Sequence, residues 1–398
     1  MKTKSLICTL LMSIVIYSCT SSGKETGHTG IINLPESLDH IEMIPLSDIA
    51  SSIEYIPLED TSEEALVGAI QSIHYDDGHF FIKDNTGLIK IFDRKGAFVR
   101  TINRIGRGPQ EYAQGSFLSI SPSNGNLLLT YFSVFMEYNQ FGDFIRKVEA
   151  PQVEGYLTTD PIMISENRFI ASLSGGQYDR DYCAVIYDSL SNILQLIPTP
   201  ELYGIEQQES INQNSGEVVQ FASLTETKLF RYEDHIRIFY PETKEIFTTK
   251  ESSVLDTAYV IDYGRYRLPG GKINESTRQG KYLMLTRFIE SEHYLFMNMI
   301  IRNILDDSSI IMGNVVFNKR TMESRLLHNR STKMNGFIDD ILGGPAFWPR
   351  TVAEKNKLVS FAYPTDLIEH SIQNGELKNT LSSLTDDSNP VVILVHLK

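Results

Sequence analysis

The chain has 398 residues, of which 41% are hydrophobic, and it is rich in tyrosine (19) and phenylalanine (20). This length exceeds the usual size of one hydrophobic core, which predicts either two domains or one architecture built from repeated units. The formal charge of −14 at pH 7 argues against nucleic acid and anionic lipid as partners, because both would be repelled over a Debye length of about 8 Å.

The N-terminus has the pattern of an export signal. Lys2 and Lys4 precede an apolar run, Leu6–Tyr17, that is too short to span a bilayer. The run ends in Ser18-Cys19 rather than in a small-x-small cleavage site, and it resembles a bacterial lipobox. The resemblance implies a signal peptide over residues 1–18, cleavage before Cys19, and acylation of that cysteine. The alternative is an ordinary secretory signal with a chance cysteine.

The lipid on Cys19 would tether the protein to a membrane outside the cytoplasm, which predicts an outer membrane lipoprotein on the periplasmic or the cell-surface side. Residues 20–23 lack the acidic run expected for surface export, which favours the periplasmic side. We expect residues 19–40 to form the lipidated tether and a flexible linker, and residues 41–398 to fold. Only Cys19 and Cys183 remain after processing, so a lipidated Cys19 excludes an intramolecular disulfide.

Two segments of the folded part repeat each other. Ile91–Arg100 and Glu137–Arg146 share aromatic, Asp/Asn, Gly, Phe and Arg positions at an offset of 46 residues. Ahead of each copy stands a turn signal, Asp77-Gly78 or Asn124-Gly125. Both dipeptides supply the positive φ angles of a two-residue type I′ turn, so each predicts a β-hairpin.

The pattern continues to the end of the chain as groups of four strands every 40 to 50 residues or so, which is typical of propeller blades. The predicted strands of the later blades are Arg168–Ala171, Ala184–Asp188 and Ile193–Ile197; Val218–Leu224, Lys228–Arg237, Lys244–Thr249 and Thr257–Tyr263; Tyr282–Thr286, Tyr294–Ile301, Ile310–Phe317 and Ser324–Leu327; Phe347–Val352, Leu358–Ala362 and Val391–Leu397. Ile53–Glu59 would supply the last strand of the sixth blade. The predicted fold is therefore an all-β, six-bladed β-propeller of four-stranded antiparallel blades, whose last blade is closed by both chain ends.

The motifs support a family resemblance. The stretch from Phe81 to Tyr112 resembles an NHL-type repeat, and the chain after residue 40 resembles the six-bladed β-propeller lipoproteins of Bacteroidetes. The shared motifs are Ile56–Glu59, the G-x-G-P-x-E-Y loop Gly106–Tyr112, Asp262–Gly264 with Leu268-Pro269, and Asn389-Pro390. This resemblance implies the fold and carries no activity with it.

The loop Gly106–Tyr112 is the most specific internal motif. Its two glycines permit a backbone path that other residues resist, and Pro109 stiffens its exit. One interpretation places Arg104, Arg107, Glu111 and Tyr112 at the mouth of the central channel, where they would hold a ligand's hydroxyls or carboxylate. The other makes the loop a crossover between blades, with Glu111 bonded to backbone amides and Tyr112 between sheets.

A second segment, Gly343–Arg350, contains the only tryptophan. Trp348 is a candidate platform for stacking a sugar, and Arg350 is a candidate ligand-binding residue beside it. Packing is the alternative role for Trp348.

The strong catalytic signatures are absent from the sequence: it has no H-E-x-x-H, G-x-S-x-G, Walker or paired C-x-x-C motif. No cofactor is required, although calcium is possible if channel acids converge, because calcium needs six to eight oxygens. The candidate acids are Asp76, Asp84, Asp160, Asp339 and Asp340. The nine histidines are scattered, which argues against a zinc cluster.

Two functions remain open at this point. The preferred one is a membrane-anchored binding or scaffold module for a glycan, peptide or protein partner. The alternative is a calcium-dependent hydrolase or lyase, lactonase-like or carbohydrate-active, that uses channel carboxylates. Propellers serve both classes, so the fold does not decide between them. A closed ring of blades predicts a monomer.

Overall fold

The computed structural model describes residues 30–39, 41–175, 181–199, 227–240, 243–250, 255–266, 281–303, 311–327, 336–354, 356–370, 372 and 374–398. The predicted signal peptide, Cys19, the predicted strand Val218–Leu224 and the dipeptide Leu268-Pro269 lie outside these residues. The strands form six sheets that correspond to the six predicted blades. None of the described helices has the length and apolar character needed to cross a bilayer.

The N-terminal elements precede the first blade. They are β1 (Gly30–Asn33), α1 (Leu34–Asp39), β2 (Ile41–Glu42), a 3₁₀ turn (Leu46–Asp48), β3 (Ala50–Pro57) and a second 3₁₀ turn (Glu63–Ala65).

Blade 1 is an antiparallel sheet whose first hairpin follows the prediction. Its strands are β4 (Ile70–Asp76), β5 (His79–Asp84), β6 (Ile89–Asp93) and β7 (Phe98–Ile102). Asp77 and Gly78 have φ angles of 43° and 74°, as a type I′ turn requires.

Blade 2 differs from the prediction at its first turn. Its strands are β8 (Phe117–Ile120), β9 (Leu127–Tyr131), β10 (Val134–Tyr138) and β11 (Phe144–Glu149). The predicted two-residue turn at Asn124-Gly125 is wrong, because six residues separate β8 from β9 and only Gly125, with φ 69°, is left-handed. Pro122 has no N–H with which to extend the ladder, and the Gly125 amide instead donates to the Ser121 carbonyl at 2.9 Å.

Blades 3 to 5 follow in chain order. Their strands are β12 (Tyr156–Ser165), β13 (Arg168–Gly175), β14 (Tyr182–Asp188) and β15 (Ile193–Pro198); β16 (Lys228–Tyr232), β17 (His235–Phe239), β18 (Glu245–Thr249) and β19 (Asp256–Asp262); β20 (Lys281–Glu290), β21 (Tyr294–Asn303), β22 (Ile311–Asn318) and β23 (Glu323–Leu327). A 3₁₀ turn, Gly264–Tyr266, follows β19. The predicted single strand Lys228–Arg237 is a hairpin, because Glu233 takes a φ of 52° and Tyr232 pairs with His235.

Blade 6 contains β24 (Thr351–Ala353), β25 (Lys357–Ala362) and β26 (Val391–Leu397), with α2 (Pro364–Ile368) and α3 (Gly375–Thr380) between the last two strands. β3 pairs antiparallel with β26 and is the outer strand of this sheet.

The N-terminal segment also covers the edges of two other blades. β1 pairs in parallel with β19, and β2 with β23, so blades 4 and 5 have five strands each. Sequence analysis predicted a flexible linker up to residue 40, but residues 30–39 are strand and helix. The physical reason is apolar burial, since Ile32 and Leu34 are fully enclosed in the core between blades 4 and 5.

The repeated segments fold as one recurring turn. Asp93, Asn139 and Asp188 each accept two downstream backbone amides through Oδ1. Gly96 and Gly142 occupy the left-handed position of this turn, with φ angles of 86° and 88°. Each turn also contacts the outer strand of the preceding blade; for example, the Glu59 amide donates to the Gly96 carbonyl at 2.8 Å.

The blade topology defines two faces. The crossover face carries the connections from each outer strand to the next inner strand, and the hairpin face carries the first and third turns of each blade. The inner strands are β4, β8, β12, β16, β20 and β24, and they surround the central channel, with direct contacts between β16 and β20, β20 and β24, β24 and β4, and β4 and β8.

Candidate functional site

Three inner strands are interrupted by β-bulges. The ladder register shifts at Gln71 in β4, at Asp160-Pro161 in β12 and at Thr286 in β20. A bulge re-aims the neighbouring side chain and is common next to binding sites. In β20 it leaves Thr286 and Arg287 both exposed, whereas Leu285 and Phe288 on either side are buried.

The bulge in β20 places Arg287 beside two other channel residues, and we call His74, Arg287 and Arg350 the channel cluster. They come from blades 1, 5 and 6, which are neighbours in the ring. Arg287 Nη2 donates to the Arg350 carbonyl at 2.6 Å. The Arg350 guanidinium lies over the Phe361 ring, 5.3 Å from its centroid.

His74 is neutral at physiological pH. Burial lowers its pKa to about 4, and the charge of Arg287 acts in the same direction, while a hydrogen bond to Leu118 acts against them. The Leu118 carbonyl lies 2.7 Å from Nε2. Because a carbonyl can only accept, Nε2 carries the proton in the neutral ring, and Nδ1 is left as an acceptor.

The two arginines of the channel cluster repel each other. Arg287 is exposed to the channel, yet the surrounding protein partly desolvates its guanidinium. This desolvation, followed by the charge of Arg350, lowers the pKa of Arg287, although a guanidinium stays protonated at any physiological pH. Within the described part of the chain, neither guanidinium has a carboxylate at ion-pair distance. Among the described residues, two arginines without an ion-pair partner therefore lie together in a protein whose net charge is −14.

Another arginine shows the opposite environment. Arg237 of blade 4 bonds Glu290 of blade 5 in a bidentate pair, with Nε and Nη2 at 2.9 and 3.0 Å from the two carboxylate oxygens. Lys319 Nζ and Tyr259 Oη also approach this carboxylate, at 2.8 and 2.7 Å. Burial alone would raise the pKa of Glu290, but the hydrogen bond to Arg237 and the Lys319 charge lower it overall. We call these four residues the Glu290 network.

The residues predicted in the Gly106–Tyr112 region serve the crossover between blades 1 and 2. Tyr112 is 1% exposed and donates from Oη to the Gly87 carbonyl at 3.0 Å. Glu111 accepts the Gly108 amide at 2.7 Å, and Arg104 Nε donates to the Gly142 carbonyl at 3.1 Å. Arg107 is exposed. These contacts agree with the second interpretation, in which the loop is a crossover between blades.

Gly106 explains why this loop needs its first glycine. A Cβ atom at this position would lie 1.8 Å from Glu111 Oε2. The loop therefore closes around its own carboxylate.

Trp348 is half-buried against the core, whereas Arg350 is exposed. The indole stacks on Phe337, with centroids 6.1 Å apart and planes at 17°, and meets the edge of Phe296 at 5.6 Å. One ring face is thus occupied by Phe337 rather than open to a sugar. Of the six residues predicted to bind ligand, Arg350 is the one that the structure brings into the channel cluster.

Three of the five acids considered for calcium are engaged elsewhere, and Asp76, at the end of β4, has its pKa raised by burial and by the charges of Asp77 and Glu354. Asp84 accepts the Gly68 amide at 3.0 Å, Asp339 accepts the Tyr55 hydroxyl at 2.8 Å, and Asp340 accepts the Ser47 amide at 2.9 Å. Asp160 sits in the bulge of β12. Among the described residues, no group of three or more His, Cys, Asp or Glu side chains is placed to hold a metal ion.

Sequence reasoning missed His74 and Arg287. Neither belongs to a motif, and a bulge has no sequence signature of its own. The available signal was the pair Thr286-Arg287, which interrupts the alternation of an otherwise apolar strand.

Comparisons with known proteins agree with this architecture. A protein of Bacteroides fragilis described as exported has the same fold with a TM-score of 0.65 and 15% identity, over 92% of this chain and 99% of that one. A DUF4221 family member from Bacteroides vulgatus has a TM-score of 0.50 and 13% identity, over 88% of this chain and 97% of that one. No curated protein matches the sequence. Residues 29–396, nearly all of the folded part, match the model of one family. The chain belongs to this family, Domain of unknown function (DUF4934).

Proposed function

We propose that this protein is an exported lipoprotein, anchored through Cys19, whose propeller is a binding module for an anionic glycan, peptide or protein partner. The observation that carries the proposal is the channel cluster, where Arg287 and Arg350 lie together without a carboxylate in the described part of the chain.

The physical argument is charge compensation. Guanidinium groups present fork-shaped donors that match carboxylate, sulfate or phosphate oxygens in pairs. An anion between Arg287 and Arg350 would replace their mutual repulsion with attraction, and the walls of the channel strengthen that attraction relative to bulk water. Neutral His74 would add an acceptor, Nδ1, for a ligand hydroxyl.

The localisation part of the proposal rests on the N-terminal signal and on the exported relative of similar fold. The outer membrane is the proposed location, with the periplasmic side favoured by the lack of acidic residues after Cys19. Labelling of expressing cells with a radioactive fatty acid should mark the wild-type chain and leave the Cys19→Ala variant unlabelled. Equal labelling of both would refute the anchor.

Binding is tested by calorimetric titration of residues 28–398 with tetragalacturonate and with tetraglutamate, beside neutral galactotetraose. We expect an anionic ligand to bind and its affinity to fall at least about tenfold in Arg287→Gln and in Arg350→Gln. Arg94→Gln is the matched control, because Arg94 is an exposed arginine on a hairpin-face turn, 3.7 Å from Glu54. Loss of affinity in the control to the same extent, or no binding of any anion by the wild type, would overturn the proposal.

A further inference from the structure

An exposed apolar surface stands beside the channel on the crossover face. It consists of Phe117, Tyr131, Phe132 and Leu157, whose exposed fractions are 72%, 41%, 59% and 58%. The first three belong to blade 2 and the last to the inner strand of blade 3. We call these four residues the aromatic shelf. Large apolar side chains exposed in one group mark binding surfaces more often than scattered ones do.

The shelf is held by two residues in an unusual backbone conformation. Phe132 and Asp160 have φ angles of 49° and 53°, in the left-handed region that side chains with a Cβ rarely adopt. The Asp160 amide donates to the Phe132 carbonyl at 3.2 Å, so the bulge of blade 3 fixes the turn of blade 2. Strain of this kind persists only where surrounding structure imposes it, and it is frequent at ligand sites.

The arrangement of the rings presents faces to solvent. Tyr131 and Phe132 meet edge to face, with centroids 4.7 Å apart and planes at 78°. One ring of such a pair offers its edge to its neighbour, which leaves faces available for stacking. Hydroxyl groups lie close by, since Thr159 and Ser172 share a hydrogen bond of 2.9 Å next to the bulge.

The inner strand that carries Phe117 links the shelf to the channel cluster. Phe117 directly precedes Leu118, whose carbonyl bonds His74. The charge of Arg287 in turn lowers the pKa of His74. The shelf and the arginines therefore line the same channel from different blades, with the shelf in blades 2 and 3 and the arginines in blades 5 and 6.

From this arrangement we infer that the ligand class is an acidic oligosaccharide, with one sugar ring stacked on Phe132 and an acid group of another sugar unit directed to Arg287 and Arg350. A sugar ring combines an apolar C–H face with hydroxyls, and an acidic sugar adds the anion. An acidic peptide would satisfy the arginines but would gain little from exposed ring faces. This inference rests on the proposed function and names its ligand.

The test compares two classes of ligand and two variants. Calorimetric titration of residues 28–398 uses tetragalacturonate and a heparin tetrasaccharide as acidic glycans, and tetraglutamate as the acidic peptide. The variants are Phe132→Ala, which removes a shelf ring, and Phe141→Ala, which removes another exposed phenylalanine on the hairpin-face turn of blade 2. Thermal unfolding shows that each variant is folded.

We expect at least one acidic glycan to bind more tightly than tetraglutamate, and Phe132→Ala to weaken that binding about tenfold or more. Phe141→Ala should bind like the wild type. If Phe132→Ala binds glycan unchanged, or if tetraglutamate binds more tightly, the glycan assignment fails while an arginine-dependent anion site stands. If neither glycan nor peptide binds the wild type, the proposed function itself fails. Where the wild type does bind, the Arg287→Gln titration shows whether the anion site depends on this arginine.

Discussion

Arg237 and Arg287 lie in adjacent blades, and they differ in whether a described carboxylate pairs with the guanidinium. The guanidinium of Arg237 is buried against Glu290 in the Glu290 network, whereas that of Arg287 faces the channel beside a second arginine. A buried charge needs a partner, because its desolvation is otherwise uncompensated. The comparison indicates that the blade interface uses its arginine to hold two blades together, and that the channel keeps its arginines for a ligand.

Removal of the partner at the blade interface should have the largest effect. Glu290→Ala leaves Arg237 and Lys319 buried without their shared carboxylate, and we expect a loss of about 3–5 kcal/mol in the free energy of unfolding. Urea denaturation measures it, with Glu292→Ala as control because this carboxylate is exposed. A loss below about 1 kcal/mol would mean that the network is not structural.

The same network predicts a pH dependence. The pKa of Glu290 is lowered in the folded state. Its contribution to stability is therefore present above the unfolded pKa of about 4.5 and is lost as the pH falls through the folded pKa.

His74 should produce an intermediate effect with its own pH range. Its folded pKa, about 4, lies below its ordinary value of 6.5. The unfolded chain then binds the proton more readily, so stability should fall as the pH decreases from 6.5 to 4, by about 1–3 kcal/mol.

His74→Gln keeps a donor for the Leu118 carbonyl and cannot take up this proton. We expect the free energy of unfolding of the wild type to fall relative to that of the variant as the pH decreases across that range. A difference that is constant with pH would show that His74 is not desolvated in the channel.

Arg287→Met should have the smallest effect on stability and sharpens the contrast with Glu290. No described carboxylate loses a partner, and the repulsion from Arg350 disappears. The lost hydrogen bond to the Arg350 carbonyl and the relieved repulsion oppose each other, so we expect the free energy of unfolding to change by about 1 kcal/mol or less. Urea denaturation of the variant beside Glu290→Ala measures both. A loss above about 2 kcal/mol would assign Arg287 a structural role.

Local turn chemistry made much of the fold predictable. The offset of 46 residues identified two copies of one turn, and Asp77-Gly78 folds as the predicted hairpin. Asn124-Gly125 does not form the predicted two-residue turn, because Pro122 has no N–H with which to extend the ladder. Glu233-Asp234 forms a tight hairpin although neither residue is glycine or asparagine, since the pairing of Tyr232 with His235 imposes the positive φ.

The N-terminal strands were not predictable from local pattern. Gly30–Asn33 is too short to register as a strand, and it is stabilised by the edge of β19 and by burial of Ile32. A contact between residues more than 200 positions apart leaves no periodicity in either segment.

For the candidate site, sequence reasoning found Arg350 and missed the residues that meet it. Arg104, Glu111 and Tyr112 form a motif because the crossover between blades needs them. The residues of the channel cluster form no motif, because each comes from a different blade.

By itself the sequence determined the repeated four-stranded unit, its recurring Asx turn and its number of copies, since these follow from alternation, glycine positions and Asx turns within a few residues. The tertiary structure alone decided which charges are compensated. Arg237 is 53 positions from Glu290, and Arg287 is 63 positions from the carbonyl that it bonds. Coulomb interactions depend on distance in space, and only the closed ring of blades, with a bulge that turns Arg287 into the channel, sets that distance.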